Sequence, residues 1–150
     1  MLRDASLIPL SHQHHNALAM CVLIRRSLRE DSSPANVAGL ARRAVDRYEV
    51  ELVNHFEIEE QILFPAMENT LGPLPLVASL IAEHRLLESL IAQLRDVPGA
   101  ALLERLCALL TEHVRREEND LFQIAQARLT KSVLQELGAA IEVKVVRVCL

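Results

Sequence analysis

The sequence predicts an all-α fold: an antiparallel up-down-up-down four-helix bundle with a short C-terminal helix and tail. Three observations carry this. Of 150 residues 51 % are hydrophobic, but only Tyr48, Phe56, Phe64 and Phe122 are aromatic, so Leu, Ile, Val and Ala must build the core, a composition suited to helix packing. Apolar residues recur at steps of three and four through four long segments. Breaks containing proline or glycine separate those segments by a few residues only, and short connections favour antiparallel neighbours.

The first helix is expected over about 11–30, with Ser11 as N-cap and Leu10, Leu18, Cys21, Ile24 and Leu28 on its apolar stripe. Asp31-Ser-Ser-Pro34 then offers a cap followed by proline at the first helical position. From there Val37, Leu40, Ala44, Tyr48, Leu52, His55, Glu59 and Ile62 mark a long second helix to about 68, which Pro65 is expected to kink or end. Leu71-Gly-Pro-Leu-Pro75 is the clearest break in the chain. A third helix follows over 75–96, with Val77, Leu80, His84, Leu87, Ile91 and Leu94 inward. After Val97-Pro-Gly99 a fourth runs over 100–129, with Leu103, Leu106, Leu110, His113, Glu117, Leu121 and Ile124 inward. Ser132 is the expected cap of a fifth, short helix to about 141. The β-branched tail, 143–150, is compatible with a strand, a loose arm or a packing segment. Residues 1–130 are thus expected to form one four-helix bundle, with 131–150 packed on it or extending from it.

A net charge of −4 gives no whole-protein basis for binding nucleic acid or an anionic membrane. No apolar run reaches membrane-spanning length and the N-terminus lacks signal-peptide features, so a soluble, cytoplasmic protein is expected. Cys21, Cys107 and Cys149 are too few and too scattered for a disulfide framework or a thiolate zinc site.

The histidines say more. His55-Phe-Glu-Ile-Glu-Glu-Gln-Ile-Leu-Phe64 and His113-Val-Arg-Arg-Glu-Glu-Asn-Asp-Leu-Phe122 share the pattern His-x-x-x-Glu-Glu-x-x-Leu-Phe. A histidine and a glutamate four apart lie about 40° apart around a helix and one turn along it, so both can point at one interior spot. His55, Glu59, His113 and Glu117 stand where apolar stripes would carry leucine, and burial of such groups is costly unless something neutralises them. A divalent metal resolves that cost. In helix one, His14 shares the stripe of Leu10 and Leu18, whereas His15 shares a face with Ser11, Arg26 and Arg29, and His12 is expected to be exposed. Hairpin arms of similar length bring His14 level with His55, and His84 level with His113.

The expected ligands are therefore His14, His55, Glu59, His84, His113 and Glu117. Six nitrogen and oxygen ligands exceed what one zinc needs, and imidazole with carboxylate suits iron or manganese. Two non-haem irons with two histidines each, sharing both glutamates as bridges and joined by an oxo or hydroxo group, use every ligand and leave an open position. Glu60 and Glu118 fall about 140° around the helix from His55 and His113 and are expected to lean toward solvent or to support the ligands from outside. Glu88 shares the His84 face and is an alternative ligand.

At these residues the chain resembles the hemerythrin-like, or HHE cation-binding, domain family. The resemblance covers roughly 7–129 and rests on Leu10-Ser-His-Gln-His14, His55-x-x-x-Glu59-Glu-x-x-Leu-Phe-Pro65, Ala82-Glu-His84 and His113-x-x-x-Glu117-Glu-x-x-Leu-Phe122. It implies a four-helix bundle with a non-haem di-iron centre that binds oxygen, nitric oxide or peroxide-type ligands, or that handles iron. The oxygen-carrying hemerythrins have a His-x-x-x-His pair on the third helix, where Glu88 follows His84 here, which counts against reversible oxygen carriage. The set is similar to the di-iron domain of bacterial iron-centre repair proteins, without their cysteine-bearing N-terminal domain. Ferritin-like proteins place glutamate three before histidine, the reverse order.

The functional expectation is a protein that binds or reduces a small gaseous or peroxide ligand, with a redox partner or a homodimer compatible with it. An iron-responsive sensor or metal-binding module without turnover is the alternative, and a purely structural bundle is the third reading. Tyr48 is read as core, the arginines at 25, 26, 29, 42, 43 and 47 as a solvated face, and Cys21 with Cys107 as core thiols that the fold can bring together.

Overall fold

The computed structural model describes residues 2–148, which are all-α and contain no strand among them. The chain opens with a 3₁₀ turn, Ala5–Leu7, capped by Asp4, whose carboxylate accepts from the Ser6 N–H at 3.0 Å. Helix α1 spans Ile8–Glu30. It begins three residues before the expected Ser11 because Pro9, which has no N–H to leave unsatisfied, sits in its first turn. The Ser11 hydroxyl is used elsewhere, donating to Glu118 Oε1 at 2.7 Å.

Helix α2 is a continuous run over 34–71, composed of Pro34–Arg47, a π-helical turn Tyr48–Leu52, Val53–Ile58, a second π-turn Glu59–Leu63, and Phe64–Leu71. Ser33 caps it, accepting from the Asn36 N–H, and Pro34 stands in the first turn, as the sequence suggested. Pro65 does not end the helix. The π-turn just before it widens the ladder, so that Phe64 N–H bonds back five residues to Glu59 and the proline enters what is in effect a new first turn. Gly72, at φ 82°, ends the helix in the left-handed region that a Cβ disfavours.

Helix α3 spans Pro75–Asp96. Helix α4 is a run over 100–128, with Ala100–Arg116, a π-turn Glu117–Leu121 and Phe122–Arg128. Helix α5 spans Lys131–Lys144 and is capped by Thr130, not Ser132: the Thr130 hydroxyl accepts from the Val133 N–H at 3.1 Å. It packs on the N-terminal turn so closely that a Cβ on Gly138 would stand 3.1 Å from Ser6. The segment 145–148 is extended and tied back to α2 and α1. Asn54 Nδ2 donates to the Lys144 carbonyl, the Val146 N–H donates to Asn54 Oδ1, and Gln13 Nε2 donates to the Val146 carbonyl. The tail is therefore a packing segment as far as Val148; Cys149 lies outside the described residues.

The interior divides in two. One apolar cluster joins Ile24, Leu40, Phe56, Leu87, Leu103 and Leu110 with Cys21 and Cys107 toward one end. The other joins Leu10, Ile58, Phe64, Leu80, Leu121 and Phe122 with Leu134, Leu137 and Ile141 of α5 toward the other. Full burial of each such side chain stabilises by about 1.5–3 kcal/mol. Between the clusters lies a layer of buried histidine and glutamate, at the level where His14, His55, His84 and His113 interrupt the apolar stripes.

Candidate metal centre

The middle layer brings together all six residues singled out from the sequence. His14, His55, Glu59, His84, His113 and Glu117 are each no more than 3 % exposed. α1 and α3 contribute one histidine each, while α2 and α4 contribute a histidine and a glutamate one turn apart. They form two overlapping groups of four, His14-His55-Glu59-Glu117 and Glu59-His84-His113-Glu117, in each of which the ligand atoms lie within 4.8 Å of one another. Both groups contain both glutamates. Each glutamate also opens a π-turn, with Phe64 N–H bonded to the Glu59 carbonyl and Phe122 N–H to that of Glu117.

The contacts across the layer are short but poorly aligned. His55 Nε2 stands 2.8 Å from Glu59 Oε1, His84 Nε2 3.0 Å from Glu59 Oε2, and His113 Nε2 2.8 Å from Glu117 Oε1. Yet these three ring nitrogens, both Glu59 oxygens and Glu117 Oε1 are buried without a hydrogen-bond partner. These atoms are near enough to one another to share a bound cation but are not in line for a hydrogen bond. His14 Nε2 alone is aligned, 2.7 Å from Glu117 Oε2.

The other nitrogen of every ring is held from outside. His14 Nδ1 meets Glu118 Oε1 at 2.7 Å, His55 Nδ1 meets Gln13 Oε1 at 2.9 Å, His84 Nδ1 meets Glu60 Oε2 at 2.8 Å and His113 Nδ1 meets Glu83 Oε2 at 2.6 Å. All four partners are acceptors, so each Nδ1 carries a proton and each Nε2 is turned inward, unpartnered at His55, His84 and His113 and facing Glu117 at His14. Arginines steady three of these acceptors, with Arg3 on Glu118, Arg85 on Glu60 and Arg116 on Glu83. The fourth acceptor, Gln13, is steadied by its own amide, which donates to Asn54 Oδ1 at 3.0 Å and to Val146.

Without a cation the layer holds protons. Burial alone would lower the His55 pKa, but Glu59, with Glu117 beside it, outweighs burial and pushes it up to about 10. The same contest, decided chiefly by Glu117, raises His113 to about 9. Burial works against ionisation of Glu117, yet His113, His14 and His55 hold its carboxyl well below the usual range. At Glu118 burial is likewise overcome by hydrogen bonds from His14 and Ser11, which bring it down to about 2. Ring protons thereby offset the carboxylate charge that a divalent ion would otherwise neutralise.

The sequence anticipated the outward lean of Glu60 and Glu118, and it placed His12 and His15 correctly on the surface. It did not assign Gln13 and Glu83 to the rings of His55 and His113. Their signal was their place, one residue before His14 and His84. Glu88 is not drawn in: it pairs with Arg85 at 3.1 Å. The closing Leu-Phe of each motif acquires a reason, since Phe122 stacks on His14 at 5.4 Å and Phe64 on His84 at 6.0 Å, each crossing to the other hairpin. Phe56 adds a closer stack on His84 at 3.9 Å. Tyr48 is half-buried against the first apolar cluster with Arg95 over its ring, and Cys21 and Cys107 are free thiols buried within that same cluster.

The donor set fits metal: four inward nitrogens with outer acceptors, and two carboxylates, Glu59 and Glu117, that among the described residues meet no cationic side chain other than histidine. No helix among the described residues is long and apolar enough to cross a membrane. Comparison with curated proteins finds no match, and comparison with solved structures finds none. The family described as hemerythrin HHE cation binding domain matches residues 9–125, most of the chain. The two His-x-x-x-Glu pairs, the single histidines of α1 and α3 and the layer they form lie inside that match, and the chain belongs to the hemerythrin HHE cation-binding domain family.

Proposed function

We propose that this protein is a non-haem di-iron protein that binds or reduces a small ligand such as oxygen, peroxide or nitric oxide, within an up-down-up-down four-helix frame. His14 and His55 would hold one ion, His84 and His113 the other, and Glu59 and Glu117 would belong to both. One observation carries the reading: inward nitrogens and carboxylate oxygens 2.8–3.0 Å apart lack hydrogen bonds, while every outward nitrogen has one. Imidazole with shared carboxylate suits iron better than a structural zinc site. When bound, the ions supply electrons and a coordination position for the small ligand. The protein's part is to fix the four ring orientations through Glu118, Gln13, Glu60 and Glu83, and to keep bulk water out with the two apolar clusters.

The burial of all six residues favours a second reading, a metal-responsive module whose occupancy sets stability without turnover. Metal analysis with optical spectra of aerobically purified protein tests both. About two irons per chain with oxo-bridge absorption support them, and a folded, metal-free protein that takes up no iron refutes both. Reduced protein mixed with peroxide, oxygen or nitric oxide then separates them: multiple turnovers mark the enzyme, one stoichiometric response the module.

A further inference from the structure

Three of the four ring partners are carboxylates, which accept a hydrogen bond whichever way they turn, and each is held by an arginine: Glu118, Glu60 and Glu83. Gln13 is the exception. Stepping from His84 to His14 takes Glu83 to Gln13, a neutral amide that accepts at one end and donates at the other. Turned over, it would set its NH2 group against the His55 Nδ1–H, and the ring would lose the acceptor that fixes its orientation. Whatever holds Gln13 the right way round therefore belongs to the centre.

Two backbone groups of the tail do so. The Lys144 carbonyl can only accept and the Val146 N–H can only donate, so Asn54, which meets both at 2.9 Å, must turn Nδ2 toward residue 144 and Oδ1 toward residue 146. Asn54 Oδ1 also accepts from Gln13 Nε2 at 3.0 Å, and the Val146 carbonyl accepts from the same nitrogen at 3.1 Å. With its amide nitrogen facing two acceptors, Gln13 has only Oε1 left for His55, at 2.9 Å. A chain of hydrogen bonds thus runs from the tail backbone through Asn54 and Gln13 to a ring that is 1 % exposed, and it starts at Val146, which is 40 % exposed. The other hairpin is built differently. The step from His55 to His113 takes Asn54 to Glu112, an exposed residue paired with Arg115, and Glu83 holds the His113 ring as a carboxylate.

We propose, resting on the iron-binding reading above, that Asn54 is a positioning residue of the metal centre, and that through it docking of residues 144–148 and metal binding at His55 strengthen each other. Binding through His55 Nε2 requires the ring proton on Nδ1, and hence Gln13 in the orientation that the docked tail imposes. Such coupling is reciprocal: the factor by which docking raises metal affinity is the factor by which metal tightens docking. Occupancy of a buried layer thereby becomes legible at the surface, in how firmly the tail is held.

The test uses full-length protein and ferrous iron under anaerobic conditions, with two readouts: competition for iron against a graded chelator, and hydrogen exchange of the Val146 N–H. Asn54→Ala, which suits the helix, should weaken iron binding on the order of tenfold, the lower end of the cost of losing a ring's outer partner. Asn54→Asp keeps oxygen acceptors for the Val146 N–H and Gln13 Nε2 and should lie nearer wild type. Adding Gln13→Glu to Asn54→Ala supplies an acceptor in either orientation, as Glu83 does for His113, and should restore affinity. In wild type, iron should slow Val146 exchange by the same order as the affinity change, and in the restored double variant it should leave that exchange unaltered. Wild-type affinity in Asn54→Ala overturns the proposal, as does a loss that Gln13→Glu fails to restore, which would mark Asn54 as a staple of the tail alone. Val146 exchange indifferent to iron in wild type overturns it too. If wild type takes up no iron, the iron-binding reading falls and the proposal with it, whereas normal uptake that is indifferent to Asn54 overturns the proposal alone.

Discussion

Glu118→Ala separates support of the centre from membership in it. The carboxylate of Glu118 accepts from the His14 ring at 2.7 Å and from the Ser11 hydroxyl at 2.7 Å, and pairs with Arg3. Removing it leaves His14 Nδ1–H without an acceptor in a site where the ring is 3 % exposed, so the ring loses both its fixed tautomer and its orientation. Loss of one such outer partner weakens metal binding by about 10–100-fold, or about 1.4–2.7 kcal/mol. Glu118→Gln keeps an oxygen acceptor and should fall between the two. The assay is competition for iron against a chelator of graded strength, with exposed Glu112→Ala on the same helix as the control. Iron per chain should remain at the wild-type value in all three once metal is in excess. Unchanged affinity in Glu118→Ala would refute the orienting role, and loss of an ion even with excess metal would show that Glu118 is itself a ligand.

Other outcomes follow from the same geometry. His55 and His113, raised to about 10 and about 9, stabilise the metal-free protein fully below the unfolded histidine value near 6.5 and lose that contribution as pH rises toward 9 and 10. Thermal melts of chelator-treated protein should therefore fall between pH 7 and 10, while metal affinity, which requires those protons to leave, should rise; a flat metal-free profile contradicts the assignment. Phe122→Ala empties a fully buried position and removes the stack on His14, and should cost about 3–5 kcal/mol in urea denaturation. Gly72→Ala forces a Cβ onto φ 82° and should destabilise by about 1 kcal/mol. Gly39→Ala, mid-helix with only the Arg42 side chain 3.9 Å from the new Cβ, should stabilise by a similar amount.

The helices and the six inward residues were legible because each depends on periodicity within one segment. A histidine and a glutamate four apart on an apolar stripe announce their shared direction without knowledge of the neighbouring helix. Gln13 and Glu83 were not legible in the same way, since their roles depend on which ring of the adjacent helix they meet. The π-turns carry no residue signature, and without the one at 59–63 Pro65 reads as a terminator. Ser11 and Ser132 were misplaced as caps because capping residues are common and the true starts were set by Pro9 and Thr130. The tail stayed ambiguous because its anchorage uses backbone groups at 144 and 146, to which sequence pattern is blind.

The polar layer between the two apolar clusters has a mechanical consequence. A helix bundle ordinarily melts as one unit because a single core runs its length, but here the upper and lower cores meet across charged groups that water would solvate gladly. Metal bound in that layer, as proposed, would act as a rivet through the middle of the bundle. With the rivet in place, the ends of the bundle should share one cooperative transition. Withdrawn, it leaves two short bundles laid end to end, and amide exchange should quicken first around residues 55–59 and 113–117, where the π-turns already loosen the ladder.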